Sequence, residues 1–246
     1  SRKPILIIDR HKSMCMQKIN VVDLGEIEYE DALNIQTQKF NELIEHKIAE
    51  QSNEHAHCLY LCEHAPVITL GKAAKENNVL FSEMILQEKG ISIFHINRGG
   101  DVTFHGPGQI TGYPILDLDY FTSDLKQYMR LLEEVIIRTI AHYGIEGYRM
   151  EDATGVWVHS RLDHQPKKIA AFGVKTSRWI TMHGFALNVN VDLNYFNLIN
   201  PCGFTDKGVT SIQQELNATV NVIKVDDVKP ILVNNFKQVF NIDLLV

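Results

Sequence analysis

Three strand-like segments crowd into the second half of the chain with no helical pattern between them. They are GVWVH at 155–159, KIAAFGVKT at 168–176 and ITMHGFALNVN at 180–190. Strands that follow one another this closely return antiparallel, because a parallel return needs a crossover of about a dozen residues or more. Elsewhere the periodicity is helical. Ala32, Leu33, Phe40, Leu43, Ile44 and Ile48 recur on one side of a segment starting at Tyr29, which predicts a helix to about residue 51. Leu125, Tyr128, Leu131, Leu132, Val135, Ile136 and Ile140 predict a second from about Ser123 to Tyr143, stopped by Gly144. A last helix is expected over 225–240, with Pro230 in its first turn, where proline is tolerated. Short strands are expected at 4–8, 19–24, 57–62 and 66–70. The combination points to an α+β fold with a mixed, largely antiparallel sheet flanked by helices, rather than a doubly wound parallel sheet.

At 246 residues, with no internal repeat and no Pro- or Ser-rich linker, the chain reads as a single domain over 1–246. A net charge of −6 opposes general nucleic-acid binding, whose affinity rests on a basic face. No apolar run approaches the roughly 20 residues of a membrane helix. No secretory signal is evident, so the expected location is the cytoplasm. The four cysteines, Cys15, Cys58, Cys62 and Cys202, are then expected as reduced thiols. The sequon at Asn217 is read as accidental.

The run HAHCLYLCEH at 55–64 invites a zinc reading. Its alternation argues for a strand instead. Four strand residues advance about 13 Å, whereas two zinc-bound sulfurs must lie within about 5 Å. No metal site is expected.

The stretch RGGDVTFHGPGQ at 98–109 is neither a dinucleotide fingerprint nor a phosphate loop. Part of it must be a strand end and a tight turn at Pro107-Gly108. Its bare backbone would also let a ligand approach the main chain, with Arg98 and His105 at the flanks. KIAAFG at 168–173 and HGFALN at 183–188 have the same character, and the three segments could wall a narrow apolar slot. Cys202, in NPCG at 200–203, stands in a polar setting between Pro201 and Gly203, whereas Cys58 and Cys62 sit in apolar sequence. It is the one cysteine nominated as a nucleophile.

Taken in order, CEHAPVITLGK, RGGDVTFHGPGQ, YPILDL, GVWV, KIAAFGVK, HGFALNVNVDL and INPCGF followed by VTS resemble the lipoyl(octanoyl) transferase family over roughly residues 20–215. The resemblance implies the core shared with biotin and lipoate protein ligases. It implies transfer of an octanoyl group from acyl carrier protein to a lysine of lipoyl domains, those of 2-oxoacid dehydrogenase complexes and the glycine cleavage H protein, with no cofactor. It makes Cys202 the nucleophile and Lys168 its partner. It assigns acyl binding to Arg98, Gly99, Gly100, Asp101, Val102, Thr103, Phe104 and His105, to Ala171, Phe172 and Gly173, and to Gly184, Phe185 and Ala186. Ala171-Phe172 departs from the Ser-Leu of many members, which bears on acyl length.

A cysteine intermediate suits acyl transfer from a thioester to an amine: the first step exchanges like for like, and the second yields a stable amide. A neighbouring ammonium would lower the thiol pKa from about 8.5. Lys175 rivals Lys168. In a regular strand their odd separation places them on opposite faces, and both could line one site only through a bulge near Gly173. The alternatives are an ATP-dependent lipoate or biotin ligase, a thioesterase, and a carrier-binding scaffold without turnover.

Overall fold

The computed structural model describes residues 16–53, 56–122, 124–151, 153–200, 208–216 and 222–245. The strand expected at 4–8, Ser123, Cys202 and the sequon at Asn217 lie outside them. The first half runs β1 (Gln17–Ile27), α1 (Tyr29–Ile48), β2 (Cys58–His64), β3 (Val67–Leu70), α2 (Glu83–Glu88), β4 (Ser92–His95), β5 (Val102–His105) and β6 (Gln109–Ile115). The second half runs α3 (Leu125–Ala141), β7 (Gly147–Met150), β8 (Ala153–His159), β9 (Pro166–Ser177), β10 (Ile180–Asn188), β11 (Gly208–Val209), α4 (Ile212–Glu215), α5 (Val225–Phe240) and β12 (Ile242–Leu244).

The main sheet has the order β12-β1-β2-β6-β10-β9-β8-β7, with β11 pairing β9. From β2 to β7 every neighbour is antiparallel. The β12-β1-β2 edge is parallel, because α1 supplies the crossover between β1 and β2. This is the expected mixed α+β architecture. A separate small sheet, β4-β3-β5, was not foreseen as a unit. Its strands are four residues each, and one of them lies inside the glycine-rich run.

Side-chain alternation sends the two faces of the main sheet into different cores. Leu59 and Leu61 of β2 pack with Val135, Ile136 and Ile140 of α3 and with Val228, Leu232 and Phe236 of α5. Cys62 of β2, with Tyr113 and Ile115 of β6, packs with Ala32, Phe40 and Leu43 of α1. The helix periodicities read from sequence are these two buried stripes, except that Ile48, expected on the α1 stripe, is exposed at the end of the helix. A third core, with Phe104 and Leu86, lies under the small sheet.

Pro230 departs from expectation. It is the sixth residue of α5 rather than part of its first turn, so one intrahelical hydrogen bond is lost. It stands on the exposed side, where water can serve the carbonyl it frees.

Phe236 is 1% exposed and stacks on Phe240 with ring centroids 4.3 Å apart. Phe236→Ala should destabilise the protein by about 3–5 kcal/mol. Denaturant melts check this, and a change below about 1 kcal/mol would mean the α5 core collapses around the hole.

Candidate active site

A cavity of about 270 Å³ opens on the α1 side of the main sheet, under the small sheet. Gln109, Thr111 and Tyr113 line it from alternate positions of β6, the face that carries Ile115 toward α1. The three segments singled out in the sequence converge here. Arg98, Gly100, Asp101, Val102, Thr103 and His105 line it from the glycine-rich run, Ala171, Phe172 and Gly173 from β9, and Gly184, Phe185 and Ala186 from β10. Antiparallel register sets Gly184 against Gly173 and Phe185 against Phe172. Two candidates are elsewhere. Phe104 alternates away into the small-sheet core, stacked on Tyr195 at 4.6 Å. Gly99 is spent on the main chain: its N–H donates to Val174 O at 2.9 Å, and its carbonyl accepts from Arg98 Nη1 at 2.9 Å.

Lys168 also lines the cavity, with Nζ 4.8 Å from the centre of the Trp157 ring. The pairing of β8 with β9 slips here: Val156 faces Ala170 and Trp157 faces Lys168, which leaves Ile169 as the extra residue of a bulge. Ile169 and Ala170 therefore both enter the α3 and α5 core. This corrects the expectation that Lys168 and Lys175 lie on opposite faces. The bulge sits at Ile169, and the register with β10 runs unbroken past Gly173. What separates the lysines is length along the strand, about 20 Å for seven residues. Lys175 reaches instead over Phe40 of α1, 5.0 Å from its ring centre, and does not line the cavity. Gly155, at φ +142°, makes room for the Lys168 stem: a Cβ there would stand 3.0 Å from Lys168 Cε and from Ala170 O.

Cys202 lies outside the described residues, but its flanks do not. Ile199 and Val209 both line the cavity. The Asn200 N–H donates to Asn78 O at 2.7 Å. Val209 pairs with Lys168, and Thr210 N–H donates to Lys168 O at 3.0 Å. Asp101 holds the Asn78 side chain, its two oxygens 2.8 and 2.9 Å from Nδ2. Arg98, buried, braces the opposite side by donating from Nη2 to Thr69 O at 3.1 Å and to Thr69 Oγ1 at 2.9 Å.

Sequence reasoning missed a layer of polar groups around this cavity: Tyr29, His64, Gln109, Thr111, Tyr113, His183 and Asn188. The alternation of 109, 111 and 113 was a usable signal, but nothing in it named their neighbours. His183 has φ +59° inside β10, and its N–H donates to Gln36 Oε1 of α1 at 3.0 Å. Burial holds His64 down to about 4. Burial, then the neighbouring His64, hold His105 down to about 3 against the opposing effect of its bond to Gln109, with smaller lowering contributions from Arg98 and His183. Burial, Arg98 and Lys175 do the same for His183, also to about 3. All three are neutral near pH 7. Burial pushes the thiols of Cys58 and Cys62 upward, so neither is a ready nucleophile. Cys58 to His64 is the strand read from its alternation.

Residues 37–237 match the family described as lipoyl protein ligase A/B catalytic domain. The chain belongs to this family. An octanoyltransferase of Parabacteroides distasonis is 54% identical over 201 residues, 82% of this chain and 90% of that protein. One of Cytophaga hutchinsonii is 49% identical over 217 residues, 86% and 89% of the two chains. Among solved structures, a lipoate-protein ligase A bound with ATP superimposes with a TM-score of 0.68 at 14% identity, over 94% of this chain and 88% of that one. A bipartite lipoate protein ligase from Thermoplasma acidophilum, solved with its E2 lipoyl domain, gives 0.67 at 14%, over 94% and 86%. These structures establish the fold. The sequence relatives establish an enzyme of the acyltransferase class. Among the described residues no helix is long and apolar enough to cross a membrane.

For a family member built this way, Gly155→Ala should cost about 1–3 kcal/mol, since the backbone angle and the Lys168 stem both resist a methyl. It should also slow acyl transfer. Thermal melts beside a transfer assay test this, and unchanged turnover would mean that Gly155 does not hold Lys168 in place.

The buried histidines set a pH dependence of stability. Their folded values of about 4, 3 and 3 lie below the ordinary 6.5. The unfolded chain therefore binds more protons below pH 6.5, and the stability present above that pH drains away as pH falls toward 3–4. Each histidine contributes a slope of up to about 1.4 kcal/mol per pH unit. Melts between pH 7 and 4 should show the loss, with a flatter slope in His183→Gln. A melting temperature constant over that range would contradict neutral burial.

Proposed function

We propose that this acyltransferase carries an octanoyl group from a carrier-protein thioester to a lysine of a lipoyl domain, through a thioester on Cys202, with Lys168 relaying protons. The observation that carries the reading is the convergence of Ile199, Val209 and Lys168 on one cavity with the glycine-bearing segments. Both flanks of the Cys202 segment reach the cavity that Lys168 lines, and the downstream one pairs with the lysine through Val209 and Thr210. Ala171 and Ala186, paired on neighbouring strands, give that cavity an apolar wall, which suits an acyl chain.

In the first half-reaction Lys168 takes the Cys202 proton, and the thiolate attacks the acyl carbon. The carrier thiolate leaves and recovers the proton from Lys168. In the second, the acceptor amine attacks the acyl carbon, a C–N bond replaces C–S, and Lys168 passes the amine proton to the departing Cys202 sulfur. A ligase on the same fold would activate a free acid with ATP and would have no use for Cys202. A thioesterase would release free octanoate, and a scaffold would form no acyl-enzyme. The acceptors proposed are the lipoyl domains of 2-oxoacid dehydrogenase complexes and the glycine cleavage H protein, with no cofactor and in the cytoplasm.

Donor and acceptor proteins of this kind are acidic by family resemblance, and this chain is itself at −6. Docking then calls for a local basic patch. Lys72 is exposed beside the Arg98 main chain, its N–H 3.0 Å from Arg98 O, and so stands near the cavity. Lys75 is exposed three residues on. Arg178 is exposed in the β9–β10 turn, five residues and about 16 Å of strand beyond Gly173. Lys72 and Lys75 are therefore the better placed.

Incubation with octanoyl-carrier protein and no ATP should add one octanoyl group to Cys202, seen by intact mass and peptide mapping. An adduct elsewhere, or an absolute need for ATP, would overturn the mechanism. Lys168→Ala should move the pH profile of Cys202 alkylation upward and slow transfer by about 100-fold or more. Lys168→Arg should keep much of the thiolate and still transfer poorly, because guanidinium does not accept the amine proton. A larger defect in Lys175→Ala would assign the role to the wrong lysine.

A further inference from the structure

Two hydrogen-bond chains run behind the β5–β6 wall of the cavity, and each is anchored on a main-chain carbonyl, which can only accept. Their directions are therefore determined. In the first, the atom 3.0 Å from Thr210 O is the amide nitrogen of Asn188. Asn188 Oδ1 then accepts from Gln109 Nε2 at 3.0 Å, and that nitrogen also donates to Phe104 O at 3.1 Å. Gln109 Oε1 is left 2.7 Å from His105 Nδ1, so Nδ1 carries the proton. The lone pair of His105 is on Nε2. In the second, Ile27 O lies 3.0 Å from His64 Nδ1, which must donate. His64 Nε2 then accepts from the Tyr113 hydroxyl at 2.6 Å, so Tyr113 Oη has spent its proton.

His105 and Tyr113 both line the cavity. Each brings an atom whose remaining capacity is to accept. Thr111 stands between Gln109 and Tyr113 on the same strand face, and its buried hydroxyl has no hydrogen-bond partner among the described residues.

An acyl thioester offers nothing to His105 Nε2 or to Tyr113 Oη. Its carbonyl oxygen and sulfur are acceptors, and an acceptor lone pair would repel the oxyanion that forms on attack. The incoming amine is different, because it must bring N–H groups to the acyl carbon. We propose that His105 is a catalytic residue of the second half-reaction: its Nε2 accepts a hydrogen bond from the acceptor lysine's amine and aims the nitrogen lone pair at the acyl carbon. This rests on the octanoyl-transfer reading above. Burial keeps His105 neutral and its lone pair available. So weak a base holds the N–H without removing the proton, which goes on to Lys168 and then to the Cys202 sulfur as the C–S bond breaks.

The test separates the half-reactions. Enzyme acylated by octanoyl-carrier protein is freed of donor, mixed with a lipoyl domain and followed by rapid quench. His105→Phe keeps a ring against Tyr29, which stacks on His105 at 6.2 Å, but has no lone pair. It should slow amine transfer by about tenfold or more, the worth of one hydrogen bond at a reacting group, while acylation changes by less than about threefold. Gln109→Met cuts the chain that fixes the ring and should slow the same step by about threefold. It decides the matter if His105→Phe does not fold. Equal slowing of both half-reactions, a defect confined to acylation, or no defect would each overturn the proposal. Wild-type enzyme that never acylates would instead sink the octanoyl-transfer reading, and this proposal with it.

Discussion

The register of β10 between β6 and β9 is the constraint on which the site depends. Phe185 pairs with Gly112 on one side and Phe172 on the other, and Gly184 pairs with Gly173. A one-residue slip would turn each of these side chains to the opposite face. Two close approaches lock it. A Cβ on Gly112 would collide with the Phe185 ring, and a Cβ on Gly173 would stand 2.7 Å from Gly99 O. The second contact ties the main sheet to the glycine-rich run, and with it Arg98 and His105 to the cavity.

Around that frame the polar groups form a second system. Asp101 holds Asn78, whose carbonyl receives Asn200; Asn188 and Gln109 connect Thr210 to His105. Both ends of the segment carrying Cys202 are thus tied into networks that also orient cavity groups. A buried polar group left unmatched costs about 1–3 kcal/mol, so such networks favour one arrangement over near alternatives. The price is acid sensitivity, since three histidines are held neutral.

Much of this was legible. Periodicity located α1, α3 and α5, and the closeness of the strands at 155–190 foretold antiparallel pairing. Other features were not. The small sheet is made of four-residue strands that pair across the chain, and no local pattern announces such partners. The bulge at Ile169 is equally silent, because Val156 and Trp157 choose their partners in the folded sheet. It moves Lys168 onto the cavity face, where strict alternation had separated it from Lys175.

The sequence by itself determined the three long helices, the antiparallel strands at 155–190, the mixed sheet and, through its ordered motifs, the family. Those are properties of local periodicity and of residues fixed along the chain. The tertiary structure alone decided which lysine meets the cavity, which way the His105 proton points, and that Phe104 and Gly99 turn away from it. Each of these depends on a partner distant in sequence: Trp157 for Lys168, Thr210 for His105, Tyr195 for Phe104 and Val174 for Gly99. Hydrogen bonds and close packing act through space at a few ångströms, so their outcome exists only once strand register has brought those residues together.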